Sequence, residues 1–271
     1  MRNFAPLLLV TAALVLAGCS STDIALESRN ISVEQNAEPA TAISTDSEQA
    51  LAKQVGPTYV TLTVSAVSAA GSGEKSRTAL TSGSGFVVDG AGYVMTAAHV
   101  AVKAGNSVSA RAADGRIYSG KVVSILPSND MALIKLRSFT GRAVAPVSQG
   151  CLVNGATVFT MGKPHSQGDT ARFGAVESMS FGQPVKYGPY GYPDAMVMRM
   201  GTRKGESGGP VFDDQGKLAG MVVSTLSDGN GQSLNLAHAV PASRLADFLC
   251  KNSKCSAPWA ALAPSGSAKC G

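Results

Sequence analysis

Gly205-Glu206-Ser207-Gly208-Gly209-Pro210 is the stretch whose residue types best suit nucleophilic chemistry. A serine hydroxyl is a weak nucleophile near neutral pH. It requires a base within hydrogen-bond reach, a group that orients the base, and donors for the oxyanion that forms on the attacked carbonyl. A serine set among glycines can sit on a tight turn whose backbone N–H groups converge, and the missing Cβ atoms let a substrate come close. On this reading Ser207 is the nucleophile, and the N–H groups of Gly205 and Ser207 form the oxyanion hole. The plain alternative is a turn between strands. His99, in Thr96-Ala97-Ala98-His99 at the expected end of a strand, is the candidate base, because imidazole accepts and returns a proton near neutrality. Asp130 opens the apolar run from Asp130 to Leu136. An acid there is placed to be partly buried, to accept the Nδ1 proton of His99 and to stabilise the imidazolium.

Such groups must be held by a scaffold, and the chain is long enough for one. Its 271 residues are 44% hydrophobic and 15% charged, which allows a sizeable core and excludes wholesale disorder. Val60, Leu62, Val64 and Ala66 alternate with Thr61, Thr63 and Ser65, the period of a half-buried strand. Short strand-like runs recur to Leu234–Val240, with hairpin signals at Asp89-Gly90-Ala91-Gly92 and Asp114-Gly115. About a dozen short strands predict an antiparallel sandwich or barrel. Residues 241–249 predict one helix, with Pro241 at its start and Leu245, Phe248 and Leu249 on one face. Residues 251–271 read as an irregular tail.

The N-terminus reads as a targeting segment over residues 1–18. A basic start precedes an apolar run of about ten residues, Leu7 to Leu16, which is too short to span a bilayer as a helix. Leu16-Ala17-Gly18-Cys19 resembles the lipobox of bacterial lipoproteins, which implies lipid attachment at Cys19 and cleavage before it. An ordinary signal peptide with a chance cysteine is the plain alternative. Residues 19–50 then read as a flexible tether, with folded structure beginning near Leu51. The anchor implies a bacterial cell-envelope location facing the periplasm or exterior, with Ser20 favouring the outer membrane. Cys151, Cys250, Cys255 and Cys270 allow up to two disulfides in three pairings. Residues 20–50 are acidic and 51–271 basic, but the basic residues are scattered without aromatic interleaving, so no nucleic-acid partner is expected.

The order His99, Asp130, Ser207 is that of the chymotrypsin-like arrangement. The stretch from Ser82 to Val100 resembles the segment that carries the catalytic His in trypsin-like peptidases, above all in their bacterial HtrA/DegP-like branch. Asp130–Leu136, Met161–Pro164, Phe173–Ser178, Gly205–Gly220 and Ala237–Pro241 are similar to that branch in the same order. The resemblance implies an all-β fold of two antiparallel six-stranded barrels, at about 51–140 and 141–240, followed by the short helix. It implies a serine endopeptidase acting on protein or peptide substrates through an acyl-enzyme, without cofactor. About twenty residues follow the helix, so the PDZ domains usual in that branch are not expected. Gly201 stands where enzymes that cut after Lys or Arg carry an acid, so a preference for basic side chains is not expected. Gly201, Thr225 and His238 are the candidate pocket residues, with His238 a means of favouring an acidic or polar side chain. His165 reads as a surface histidine. Three scattered histidines offer no metal-ligand set. The competing expectations are a catalytically latent peptidase fold that only binds, a structural envelope lipoprotein, and an esterase with the same triad.

Overall fold

The computed structural model describes residues 31–35, 45–69, 75–147, 152–165 and 168–263. The chain begins its described course with strand β1 (Ile31–Gln35) and helix α1 (Thr45–Val55). The N-terminal barrel follows: β2 (Tyr59–Ala69), β3 (Lys75–Val87), β4 (Tyr93–Thr96), the one-turn helix α2 (Ala98–Ala101), β5 (Ser107–Arg111), β6 (Ile117–Leu126) and β7 (Met131–Leu136). These six strands close in the order β2-β3-β4-β7-β6-β5. The alternation read in the sequence is the alternation of burial: Val60, Leu62 and Val64 are interior, and Thr63 is exposed.

The C-terminal half carries β8 (Thr157–Gly162), β9 (Asp169–Ser178), a small hairpin β10 (Val185–Tyr187) and β11 (Tyr190–Tyr192), then β12 (Met196–Arg199), β13 (Pro210–Asp213), β14 (Leu218–Ser227) and β15 (Ser233–Pro241). Six of these run β9-β12-β15-β14-β13-β8, and pairing of β8 with β9 closes them into a second barrel. The last described elements are α3 (Ala242–Asn252) and the single turn α4 (Ala257–Ala260). The all-β, two-barrel expectation is therefore met.

Strand β8 is buried on both faces. Phe159 and Met161 join the larger core, where Phe159 stacks on Phe173 at 4.7 Å. Val158 joins a second core with Val176, Met196, Met198, Val211 and Ala239. Facing buried strands of this kind fix the strand ends, and with them the turns between the strands.

Three segments differ from the sequence reading. Elements precede Leu51: β1 lies parallel to β9, with Ile31 opposite Asp169, and α1 begins at Thr45. Only Ile31 and Val33 mark this strand in a Ser-, Thr- and Glu-rich stretch, and its pairing comes from the open flank of β9. The last helix extends to Asn252 rather than ending at Leu249. In the stretch read as an irregular tail, Trp259 is buried, with its Nε1–H donating to the carbonyl of Val88 at 3.2 Å. Cys250 and Cys255 lie at disulfide distance there. Cys19, Cys151 and Cys270 lie outside the described residues.

Candidate active site

His99 lies in the single helical turn α2, not on the end of a strand. Ala97, Ala98, Val100 and Ala101 around it are buried, and these small side chains let the turn press against the barrel while the imidazole faces outward, about a quarter exposed. Its Nδ1 lies 2.8 Å from Asp130 Oδ2, and its backbone N–H donates to Asp130 Oδ1 at 3.0 Å. One residue thus engages both carboxylate oxygens. With Nδ1 donating to a carboxylate, the neutral ring keeps Nε2 as its acceptor. Asp130 is fully buried and left-handed, at φ 49° and ψ 44°, where it closes the short turn Pro127–Asn129. Asp tolerates that conformation better than most side chains.

A third donor reaches the same carboxylate. The Tyr187 hydroxyl, on the β10–β11 hairpin, donates to Asp130 Oδ2. Burial, then the Asp130 charge, push this phenol far above its ordinary range, so it stays protonated and able to donate. Tyr187 and Tyr190 stand edge-on to His99, with ring centroids 5.8 and 6.2 Å away. Sequence reasoning missed these residues. Their signal was present in Tyr187-Gly188-Pro189-Tyr190-Gly191-Tyr192, aromatics about a Gly-Pro turn.

Ser207 arrives from the other barrel. Its carbonyl accepts the Ser84 N–H at 2.9 Å. A Cβ on Gly208, at φ 81°, would lie 2.2 Å from Thr96 Oγ1 and 2.9 Å from the nitrogen of Ala97. Only glycine allows the serine turn to press so closely on the segment leading to His99. No hydrogen bond joins Ser207 Oγ to His99; the bonds of the ring and N–H of His99 go to Asp130. Gly205 has φ 100°, and a Cβ there would lie 2.2 Å from the Lys163 carbonyl. The Lys204 carbonyl accepts the His165 N–H at 3.1 Å. In a trans peptide the following N–H points the opposite way, so this bond turns the Gly205 N–H from His165. Among the described residues, neither the Gly205 nor the Ser207 N–H donates to a protein acceptor.

Between those two N–H groups sits Glu206, whose side chain is buried beside an equally buried arginine. Arg172 Nε, from β9, lies 2.6 Å from Glu206 Oε1, and both side chains are at most 1% exposed. The Arg203 N–H donates to the other carboxylate oxygen. Burial pushes the Glu206 carboxyl up, against the pull of the Arg172 guanidinium and the Arg203 N–H. A Cβ on Gly162 would lie 2.6 Å from Glu206 Cγ, so that glycine makes the room for the acid. Neither charge of this pair was singled out from sequence, because Arg172 lies on a strand remote in the chain.

The three pocket candidates form a second group. Gly201 faces Asn235, whose Oδ1 would lie 2.8 Å from an added Cβ. Thr225 Oγ1 lies 2.6 Å from Thr202 Oγ1 and donates to the Thr202 carbonyl at 3.1 Å. His238 is buried beneath Phe181, at 4.4 Å between ring centroids, and its Nδ1 lies 2.7 Å from the Tyr192 hydroxyl. Burial lowers its pKa, partly opposed by Asp194. Among the described residues, its buried Nε2 has no hydrogen-bond partner.

With this geometry in hand, comparison with known proteins places the chain in a class. Residues 83–221 match the model of the trypsin-like peptidase domain. The chain belongs to the trypsin-like peptidase family. It is 31% identical over 182 residues to a probable periplasmic serine endoprotease, DegP-like, of Brucella suis, covering 65% of this chain and 34% of that one. It is 31% identical over 173 residues to the chloroplastic protease Do-like 5 of Arabidopsis thaliana, covering 59% and 53%. The chain thus spans about a third to a half of the length of these relatives. An HtrA-type protease solved with a decapeptide superposes with a TM-score of 0.63 at 20% identity, over 76% of this chain and 66% of the other. That likeness is one of fold.

Proposed function

We propose that the chain is a serine endopeptidase that hydrolyses peptide bonds through an acyl-enzyme. Ser207 attacks the scissile carbonyl, and His99 takes the serine proton at Nε2 and returns it to the leaving amine. Asp130 holds the imidazole in the tautomer that accepts at Nε2 and stabilises the imidazolium. Gly205 and Ser207 donate their N–H groups to the oxyanion, a contribution of about 3–4 kcal/mol per donor in measured cases. Water on the same base then releases the acyl group. The observation that carries this reading is the two-point engagement of fully buried Asp130 by His99, at 2.8 and 3.0 Å, with the turn that carries Ser207 packed against Thr96 and Ala97, just ahead of His99 in the chain. Family membership supports it. Gly201, Thr225 and His238 are the proposed contacts of the side chain before the cut.

The test is cleavage of unfolded casein by the full chain beside Ser207→Ala, His99→Ala and Asp130→Asn. Each variant is expected to lose activity by roughly 10⁴-fold or more. Casein cleavage that survives Ser207→Ala would end the proposal.

The second reading is a peptidase fold that binds without turnover. It is favoured by one observation, the missing hydrogen bond between Ser207 Oγ and His99. Catalytic hydrogen bonds often tighten only in the substrate complex, so the first reading stands ahead.

The proposed location is the bacterial cell envelope, with the domain tethered by lipid on Cys19. The lipobox-like sequence supports it, as does the periplasmic designation of the Brucella relative. Labelled palmitate is expected in the wild-type chain and not in Cys19→Ala; equal label in both would remove the tether.

A further inference from the structure

A cavity of about 310 Å³ opens beside Ser207, lined by residues that include Thr61, Thr63, Ser82, Gly83, Lys163 and His165. Its position relative to the nucleophile follows from three contacts. Ser84, the next residue after Gly83, donates its N–H to the Ser207 carbonyl at 2.9 Å. A Cβ on Gly83 would lie 3.1 Å from that same carbonyl oxygen. On the other wall, His165 Cδ2 would lie 2.8 Å from a Cβ on Gly205. The cavity therefore flanks the nucleophile turn between the β2–β3 ladder and the loop after β8. Gly201, Thr225 and His238 belong elsewhere, joined to Asn235, Thr202 and Tyr192 around β14 and β15.

A peptide held across a nucleophilic serine has its acyl part on one side and its leaving amine on the other. With the acyl side chain against Gly201, Thr225 and His238, the residues after the scissile bond point toward this cavity. Its volume is at the low end of small-ligand pockets, about 300–1,000 Å³, enough for one or two side chains.

The lining has one sign of charge. Lys163 is the one Lys or Arg in the lining, and its ammonium makes no ion pair among the described residues. His165 Nε2 lies 3.0 Å from Ser82 Oγ, which fixes the ring at the rim. His165 is also tied by its N–H to the Lys204 carbonyl, and Arg203 and Lys204 are exposed beside it. The lining includes no Asp or Glu. The nearby Asp169 has Arg111 Nη2 at 3.4 Å from its Oδ2. Thr61, Leu62, Thr63, Ser82, Gly83 and Pro164 complete the lining.

We propose that this cavity is a subsite for an acidic side chain on the C-terminal side of the cleaved bond, with Lys163 as its counter-charge. The inference rests on the peptidase reading. It makes Lys163 a specificity-determining residue, and His165, exposed as the sequence reading expected, a part of the rim of the same site.

The test uses internally quenched peptides that share one acyl side and differ only in the two residues after the cut: Asp/Glu, Gln or Lys. The full chain is expected to cleave the acidic peptides about tenfold faster in kcat/KM than the lysine peptides, with Gln between them. About 0.5 M salt is expected to shrink that ratio, since the site is partly open to solvent. Lys163→Glu is expected to invert the order. Lys121→Glu, the same charge change at an exposed position on β6, is expected to leave it as in the wild type. A chain that cleaves all three sets equally, or favours the lysine peptides, overturns the subsite and leaves the peptidase reading intact. A folded chain that cleaves none of them and takes no label from a serine-directed fluorophosphonate overturns the peptidase reading, and the subsite with it. The salt dependence of the wild type decides the matter even where Lys163→Glu does not fold.

Discussion

In the N-terminal barrel, His99 and Asp130 are held by hydrogen bonds between near neighbours in space, inside an apolar shell of alanines and valines. In the C-terminal barrel, Ser207 is held by glycines that admit the other barrel and by a buried ion pair behind the turn. The first arrangement is short-range and tolerates solvent at one edge. The second depends on burying two full charges, which costs several kcal/mol per ion unless the partners and their hydrogen bonds are complete. His99 is thus placed by a robust local device, and Ser207 by a long-range one that fails when either partner is removed.

Breaking the ion pair should have the largest effect. Arg172→Met strands the Glu206 carboxylate in the interior, and a loss of about 3–5 kcal/mol in unfolding free energy is expected. Adding Glu206→Gln should recover part of it, because a neutral amide costs less to bury. If Arg172→Met unfolds at the wild-type temperature, the contrast between the barrels is wrong. Gly205→Ala comes next. A Cβ at φ 100° against the Lys163 carbonyl must displace the turn. On the proposed reading, kcat falls by about 10²–10³-fold, as for loss of one oxyanion donor, with a smaller change in KM.

Tyr187→Phe probes the N-terminal pair from outside. It removes one hydrogen bond to a charged acceptor, so kcat/KM should fall by about tenfold, and a pH–rate profile should show the apparent base pKa shifted, since Tyr187 acts through Asp130. An unshifted profile with an unchanged rate would make Tyr187 a packing residue only. The smallest effect is expected at His238. Burial lowers its pKa in the folded chain, so below about pH 6.5 the unfolded chain takes up a proton that the folded one refuses. Stability should therefore fall as pH drops through that window, by at most about 1.4 kcal/mol per pH unit from this residue. His238→Phe should flatten that slope in denaturant titrations; an unchanged slope would assign it to other groups.

The same contrast explains what could be read in the sequence. His99, Asp130 and Ser207 each stand in a short segment with its own local signature, and the strand alternation at Val60–Val64 announced the barrel. Arg172 did not stand out, because nothing in Thr170-Ala171-Arg172-Phe173 itself sets the arginine apart. Its meaning comes from Glu206, far along the chain. The aromatic Gly-Pro turn around Tyr187 was visible, but its partner Asp130 was not, because it lies in the other barrel. Strand β1 is set by pairing with β9 rather than by its own composition, and Trp259 gives an otherwise Ala-, Ser- and Pro-rich tail a buried anchor. Local periodicity reports what a segment buries, not which distant charge it meets.

The central claim is that Ser207 is an activated nucleophile served by His99. The direct measurement is fluorophosphonate labelling of the folded full chain, with the adduct located by mass spectrometry. The account expects one adduct, on Ser207, abolished by Ser207→Ala and strongly reduced by His99→Ala. A folded chain that takes no label, or one labelled equally after His99→Ala, would contradict it.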